Sequence, residues 1–174
     1  MDIRQTIKDT ALSYVGQKEL KANSGFTNDV FQQKMEGVGF DKGEAWCALF
    51  AELVWCEAYS KIDSRMITDL QKLFSDSAVK TWSNFKKMPK FKTSNKPEIG
   101  DLVVWQKYNN GEAHWTGHVG IVIEPDKLWF WTVEGNTNGI GGREGDGVYK
   151  KQRDYNFTVE NGLRLLGFIK PIEV

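Results

Sequence analysis

The chain has 174 residues, enough for one domain with a substantial core. Forty per cent of the residues are hydrophobic, with seven Trp and ten Phe among them, which excludes a disordered chain. Its formal net charge is zero, which argues against a nucleic-acid binder held by phosphate neutralisation.

The N-terminal stretch MDIRQTIKDTALSYVGQKEL is polar, where a signal peptide would have a basic start and an apolar centre. The expectation is therefore synthesis in the cytoplasm without a Sec-type export signal. No stretch approaches the roughly 18 to 20 apolar residues that a membrane span needs. Apolar positions at Ile3, Ile7, Ala11 and Leu12 predict a helix from Ile3 to about Val15, ended by Gly16. After the loop QKELKANSGFT, a short helix is expected in NDVFQQKMEGV, capped by Asn28 or Thr27. GFDKGE reads as a turn. The segment from Ala45 to Tyr59 is apolar nearly all round and predicts a helix buried at the centre of the fold. Two further helical pieces are expected between Met66 and Phe74 and between Ser77 and Lys86.

KKMPKFKTSNK carries five lysines from Lys86 to Lys96 and no acidic residue, and reads as a solvated loop. The pattern then changes. DLVVWQ, HVGIVIE, LWFWTVE, GVYKK and LRLLGFI are short runs rich in Val, Ile and aromatic residues between turn residues, and they predict strands. Helices first and strands afterwards imply an α+β domain with an antiparallel sheet. No repeat or linker is visible, so residues 1–174 are expected to form a single domain.

Two cysteines bear on chemistry. If Cys47 and Cys56 share one helix, they lie on opposite faces about 13 Å apart along its axis, too far for a disulfide. No CxxC suggests zinc. Cys56, well inside the helix, reads as core. Cys47 falls in the first turn, where the helix dipole and free N–H groups stabilise a thiolate and can hold a developing oxyanion. From position alone, nucleophile and core residue are both open.

A cysteine nucleophile wants a base, and the chain has two histidines, His114 and His118. His118 is expected to begin a strand, sharing a face with Gly120 and Val122, while His114 lies in the loop before it. If EPDK closes a hairpin, position 118 pairs with roughly position 133 or 134, and Glu134 arrives beside His118. Asn136 faces the same way if the strand continues. A carboxylate and a carboxamide then stand where a base histidine needs an orienting group. The plainer alternative makes Glu134 and Asn136 strand-end and turn residues.

WCALFAELVW, GDLVVW, GHVGIVIE, VEGNTN, GDGVY and LLGFIKP, in that order, closely resemble the CHAP family of cysteine, histidine-dependent amidohydrolases and peptidases. YVGQKE, NSG and NDVF also look like the N-terminal region of bacterial and phage members. The resemblance implies a papain-like α+β fold, with a cysteine-led central helix packed on an antiparallel sheet that carries the histidine. It implies hydrolysis of amide bonds in peptidoglycan, with Cys47 as nucleophile, His118 as general base and Glu134 orienting it. Asn136 would assist the oxyanion or the histidine. Some members hold calcium in an acidic loop ahead of the cysteine. Here GVGFDKGEAWC offers only Asp41 and Glu44, so neither calcium nor any other cofactor or metal is expected. The expected partner is bacterial peptidoglycan, met by a monomer.

Rival readings are a metal site on His114 and His118, a nucleotide loop in the glycine-rich GNTNGIGGREGDG, and an inactive wall-peptide binder. The first lacks an acidic ligand, and the second lacks GK[ST] and a following helix. The third does not need the Cys, His, Glu and Asn set. Trp46, Trp115 and Tyr108 are candidate groove walls, each more simply read as packing. A catalytic domain without signal peptide or wall-binding module fits a phage endolysin released by a holin, or an exported interbacterial effector. Amidase and endopeptidase remain alternatives.

Overall fold

The computed structural model describes residues 2–138 and 145–173. Among them are five α-helices, α1 Ile3–Ser13, α2 Asp29–Gly37, α3 Cys47–Ser60, α4 Ile67–Leu73 and α5 Ala78–Lys87. Six strands follow, β1 Thr93–Ser94, β2 Leu102–Asn109, β3 Glu112–Pro125, β4 Trp129–Thr137, β5 Gly147–Asp154 and β6 Gly162–Ile169. They form one antiparallel sheet in the order β1-β6-β2-β3-β4-β5. This is the α+β arrangement of helices and antiparallel sheet expected from the sequence. No helix among the described residues is long and apolar enough to cross a membrane.

The helices begin where short polar side chains satisfy their free N–H groups. Asp2 accepts from the N–H of Arg4, Asn28 from that of Phe31 and Ser77 from that of Lys80. α4, which starts behind Met66, and the central helix α3 have no such side-chain cap, and in α3 it is Trp46 that stands at the N-cap. The first-turn N–H donors of α3 are therefore left for another acceptor. α3 is buried on nearly every side, packing with Leu102, Val104, Val119, Ile121, Ile123 and Val133 in the main core. A smaller core of Val103, Trp105, Val122, Phe130, Leu165 and Phe168 fills the alternate strand positions on the other face of the sheet.

Two expectations about β3 need correction. It extends back to Glu112, so His118 lies in the middle of the strand and His114 lies within it, not in a loop. The hairpin register also differs from the expected one. Ile121 faces Val133 and Val122 faces Thr132, with a bulge between Val122 and Glu124. The turn comes later than EPDK, closed by the Asp126 N–H donating to the Trp129 carbonyl. Glu134 consequently falls level with Gly120, two positions beyond His118. The lysine-rich run is no simple loop either. Lys86 and Lys87 end α5, and Thr93–Ser94 pair with β6.

GDLVVW has a structural explanation at its first two residues. Gly100 has φ +83, and a Cβ there would lie 3.0 Å from the Arg4 backbone. The buried Asp101 accepts from Arg4 at 2.9 Å, from Lys170 at 2.6 Å and from the Glu98 N–H at 2.7 Å. One carboxylate thus ties the N-terminal helix and the C-terminal segment to the start of β2.

Candidate active site

The site forms where strands part. The β3–β4 ladder ends at Ile121–Val133, although both strands run on past that pair. α3 is brought there by packing at Gly135. A Cβ on Gly135 would lie 2.6 Å from the Trp46 ring and 2.7 Å from Phe50, so only glycine lets the helix approach this closely. Trp46 is fully buried, with edge contacts to Phe26, Phe31 and Phe50, and its Nε1–H donates to Glu19 at 2.7 Å. It is a core residue that anchors the helix start, not a groove wall.

Cys47, the first residue of α3, is buried as a free thiol and hydrogen-bonds the His118 side chain. His118 Nε2 stands 2.8 Å from Glu134 Oε2. Since Glu134 is ionised, Nε2–H donates, and Nδ1 is the nitrogen left for the thiol. The chain of contacts is therefore thiol, imidazole, carboxylate. Glu134 is completely buried and has further donors. The Thr132 hydroxyl donates to Oε1 at 2.6 Å, Arg153 Nε donates to Oε1 at 2.7 Å, and a second Arg153 nitrogen pairs with Oε2.

These contacts set the charges. Burial drives the His118 imidazolium pKa down, but the Glu134 charge and the hydrogen bonds His118 makes with Cys47 and Glu134 more than reverse this, raising it to about 9. Burial pushes the Glu134 carboxyl up, yet Arg153 and His118 hold it well below the usual carboxylate range. The site accordingly favours an imidazolium between two acceptors at neutral pH.

Asn136 is buried too, but the strand is irregular at this point. Its φ is +51, in a register shift between Glu134 and Thr137, so strand alternation does not extend through it. Its carboxamide oxygen has no hydrogen-bond partner among the described residues.

His114 takes no part. Its Nδ1 bonds the Thr116 hydroxyl at 2.7 Å, and four residues along a strand separate it from His118 by about 13 Å. Among the described residues no group of three or more His, Cys, Asp or Glu side chains is placed to hold a metal, and Asp41 and Glu44 are both exposed. The centre of the glycine-rich segment, 139–144, lies outside the described residues. Cys56 is partly buried, and burial followed by the nearby Glu52 charge pushes its thiol up to about 12. Trp115 is 72 % exposed, and the Tyr108 ring lies under the Arg164 guanidinium at 3.6 Å.

Sequence reasoning missed Arg153, Thr132, Trp105 and Gly120. Arg153 lies in KKQRD, which reads as a solvated charged strand, and only the tertiary register brings it onto Glu134. Thr132 had a visible signal: it lies two residues before Glu134 and so shares its face.

Compared with known proteins, the chain matches the family model described as CHAP domain over residues 39–136, more than half its length. No curated protein matches it, and no solved structure does. The matched region begins in the turn before Cys47 and ends at Asn136.

Proposed function

The chain belongs to the CHAP domain family, and from that premise we propose that it is a cysteine-dependent peptidoglycan hydrolase cleaving amide bonds in stem peptides or cross-bridges. The observation that carries this reading is the unbroken line from the Cys47 thiol through His118 to the buried Glu134. A packed core has no use for a buried carboxylate, imidazole and thiol in series, whereas nucleophilic catalysis needs that order.

In the proposed mechanism His118 holds the proton given up by Cys47, and the thiolate attacks the substrate carbonyl carbon. The oxyanion that forms is met by the uncapped N–H groups at the start of α3. His118 then gives its proton to the departing amine, leaving a thioester on Cys47. Water adds to that thioester as His118 takes its proton, and the acid departs with the thiol restored. Glu134 keeps the ring oriented throughout. Both His118 nitrogens are taken, so Asn136 is assigned to the substrate, with its unpaired oxygen accepting a peptide N–H. The likeness of YVGQKE and NDVF to phage and bacterial members is compatible with a phage endolysin, the setting we favour, and with an exported interbacterial effector.

The test is turbidity loss of purified peptidoglycan, with mass spectrometry of the released fragments. Wild type should release fragments, and Cys47→Ala should lose at least about a thousandfold in rate. New amino termini on alanine released from muramic acid would mark an amidase, and termini within cross-bridges an endopeptidase. An equally active Cys47→Ala variant would overturn the reading.

A further inference from the structure

Four side chains around the site close on themselves. His118 bonds Glu134, Glu134 binds Arg153 through both oxygens, and the Arg153 guanidinium lies 5.2 Å from the centre of the Trp105 ring. Trp105 in turn stacks on His118, with centroids 5.8 Å apart and planes at 27°. β5 is an edge strand of the sheet, and its two lysines have other partners. Lys151 Nζ donates to the Asn138 carbonyl, the Tyr149 hydroxyl to Asp146, and Lys150 lies over Trp131. β2 offers the uncharged Trp105, β4 offers Thr132, and α3 offers Cys47. Arg153 is therefore the one permanent cation bonded to Glu134 among the described residues.

We propose that Arg153 is a positioning residue that sets the pH range in which the Cys47–His118 pair exists as thiolate and imidazolium. This rests on the reading of Cys47 and His118 as the nucleophilic pair. In the charged state the four groups alternate in sign: thiolate, imidazolium, carboxylate, guanidinium. Their sum is zero. Without the guanidinium, the same state carries a net negative charge in a site where Glu134 is fully buried. Such a site regains neutrality by keeping a proton, so the thiolate forms only at higher pH. The fork of two N–H bonds also fixes the Glu134 rotamer, and Trp105 between Arg153 and His118 limits the movement of both rings and fork.

The test reads the thiol without any substrate. The rate of Cys47 alkylation by iodoacetamide is measured against pH for wild type, Arg153→Gln and Arg153→Lys, with peptide mapping of the modified site. Arg153→Gln removes the charge and should move the acid limb of the profile up by about one pH unit. Arg153→Lys keeps the charge but not the fork, and should leave the limb near its wild-type position while slowing peptidoglycan release. If Arg153→Gln does not fold, Arg153→Met, which fills the space without a buried polar head, replaces it. A neutral variant with the wild-type limb overturns the proposal, as does a Lys variant displaced as far as the neutral one. A shifted limb in a protein that releases nothing from peptidoglycan would leave this inference standing and remove the substrate assignment instead.

Discussion

Gly120 and Glu134 stand level across the parting of β3 and β4, and the missing side chain of one is the space used by the other. A Cβ on Gly120 would lie 2.8 Å from Glu134 Cγ and 3.5 Å from Thr132 Cβ. Glu134 cannot retreat, because His118, Thr132 and Arg153 all hold its carboxylate. Gly120→Ala should therefore reduce peptidoglycan release by at least about tenfold, with a stability loss of only about 1–3 kcal/mol. A thermal melt alongside the turbidity assay separates the two effects. An Ala variant with full activity would show that Glu134 does not need this path to His118.

The pH dependence has a definite direction. His118 carries its proton more tightly in the folded protein, with a pKa of about 9 against an ordinary 6.5. Its contribution to stability is complete below about 6.5 and disappears as pH rises through about 9. The imidazolium that the proposed mechanism uses to protonate the leaving amine disappears over the same range. Activity should fall as pH rises through about 9, and Tm should decline with it. An activity limb near pH 6.5 would mean that Glu134 leaves the imidazole unshifted.

The two cysteines should differ sharply toward alkylating reagents. Cys56 has its thiol pushed up to about 12 by burial and by the Glu52 charge, so it is almost entirely protonated at pH 7.5. Cys47 bonds an imidazole that carries a proton. Brief iodoacetamide treatment at that pH should add one label, on Cys47, and Cys56→Ala should leave the labelling rate unchanged. Equal labelling of both would contradict the charge assignment.

Glu52 adds a loss of the same sign at lower pH. It lies buried in α3, and burial raises its carboxyl to about 7. A raised carboxyl binds its proton more tightly in the folded state, so folding loses stability as pH climbs from about 4.5 to 7. Glu52→Gln should stabilise the protein at pH 8 by about 1–2 kcal/mol and make little difference at pH 4. Denaturant unfolding at the two values measures this directly.

Much of the architecture could be read from local pattern. The apolar run from Ala45 to Tyr59 marks the central helix, with its observed bounds at Cys47–Ser60. Asn28, one of the two cap candidates for α2, is the observed cap, because capping depends on a side chain reaching its own neighbours. Register was less accessible. One bulge and a later turn moved Glu134 from the expected level of His118 to that of Gly120, since each inserted residue shifts every pair beyond it. The polar stretch around His114 concealed a strand because that end of β3 is solvent-exposed along much of its length and carries little apolar signal.

By itself, the sequence determined the order of helices and strands, the place of Cys47 at a helix start, and the pairing of a histidine with a nearby carboxylate. All of these depend on short-range periodicity or on residues joined by one hairpin. Only the tertiary structure decided that Arg153 grips Glu134, that Trp105 stacks on His118, and that Gly135 lets Trp46 bring α3 to the end of β4. Those contacts join elements far apart in the chain, and the sheet twist and strand order that create them leave no local mark on the residues they bring together.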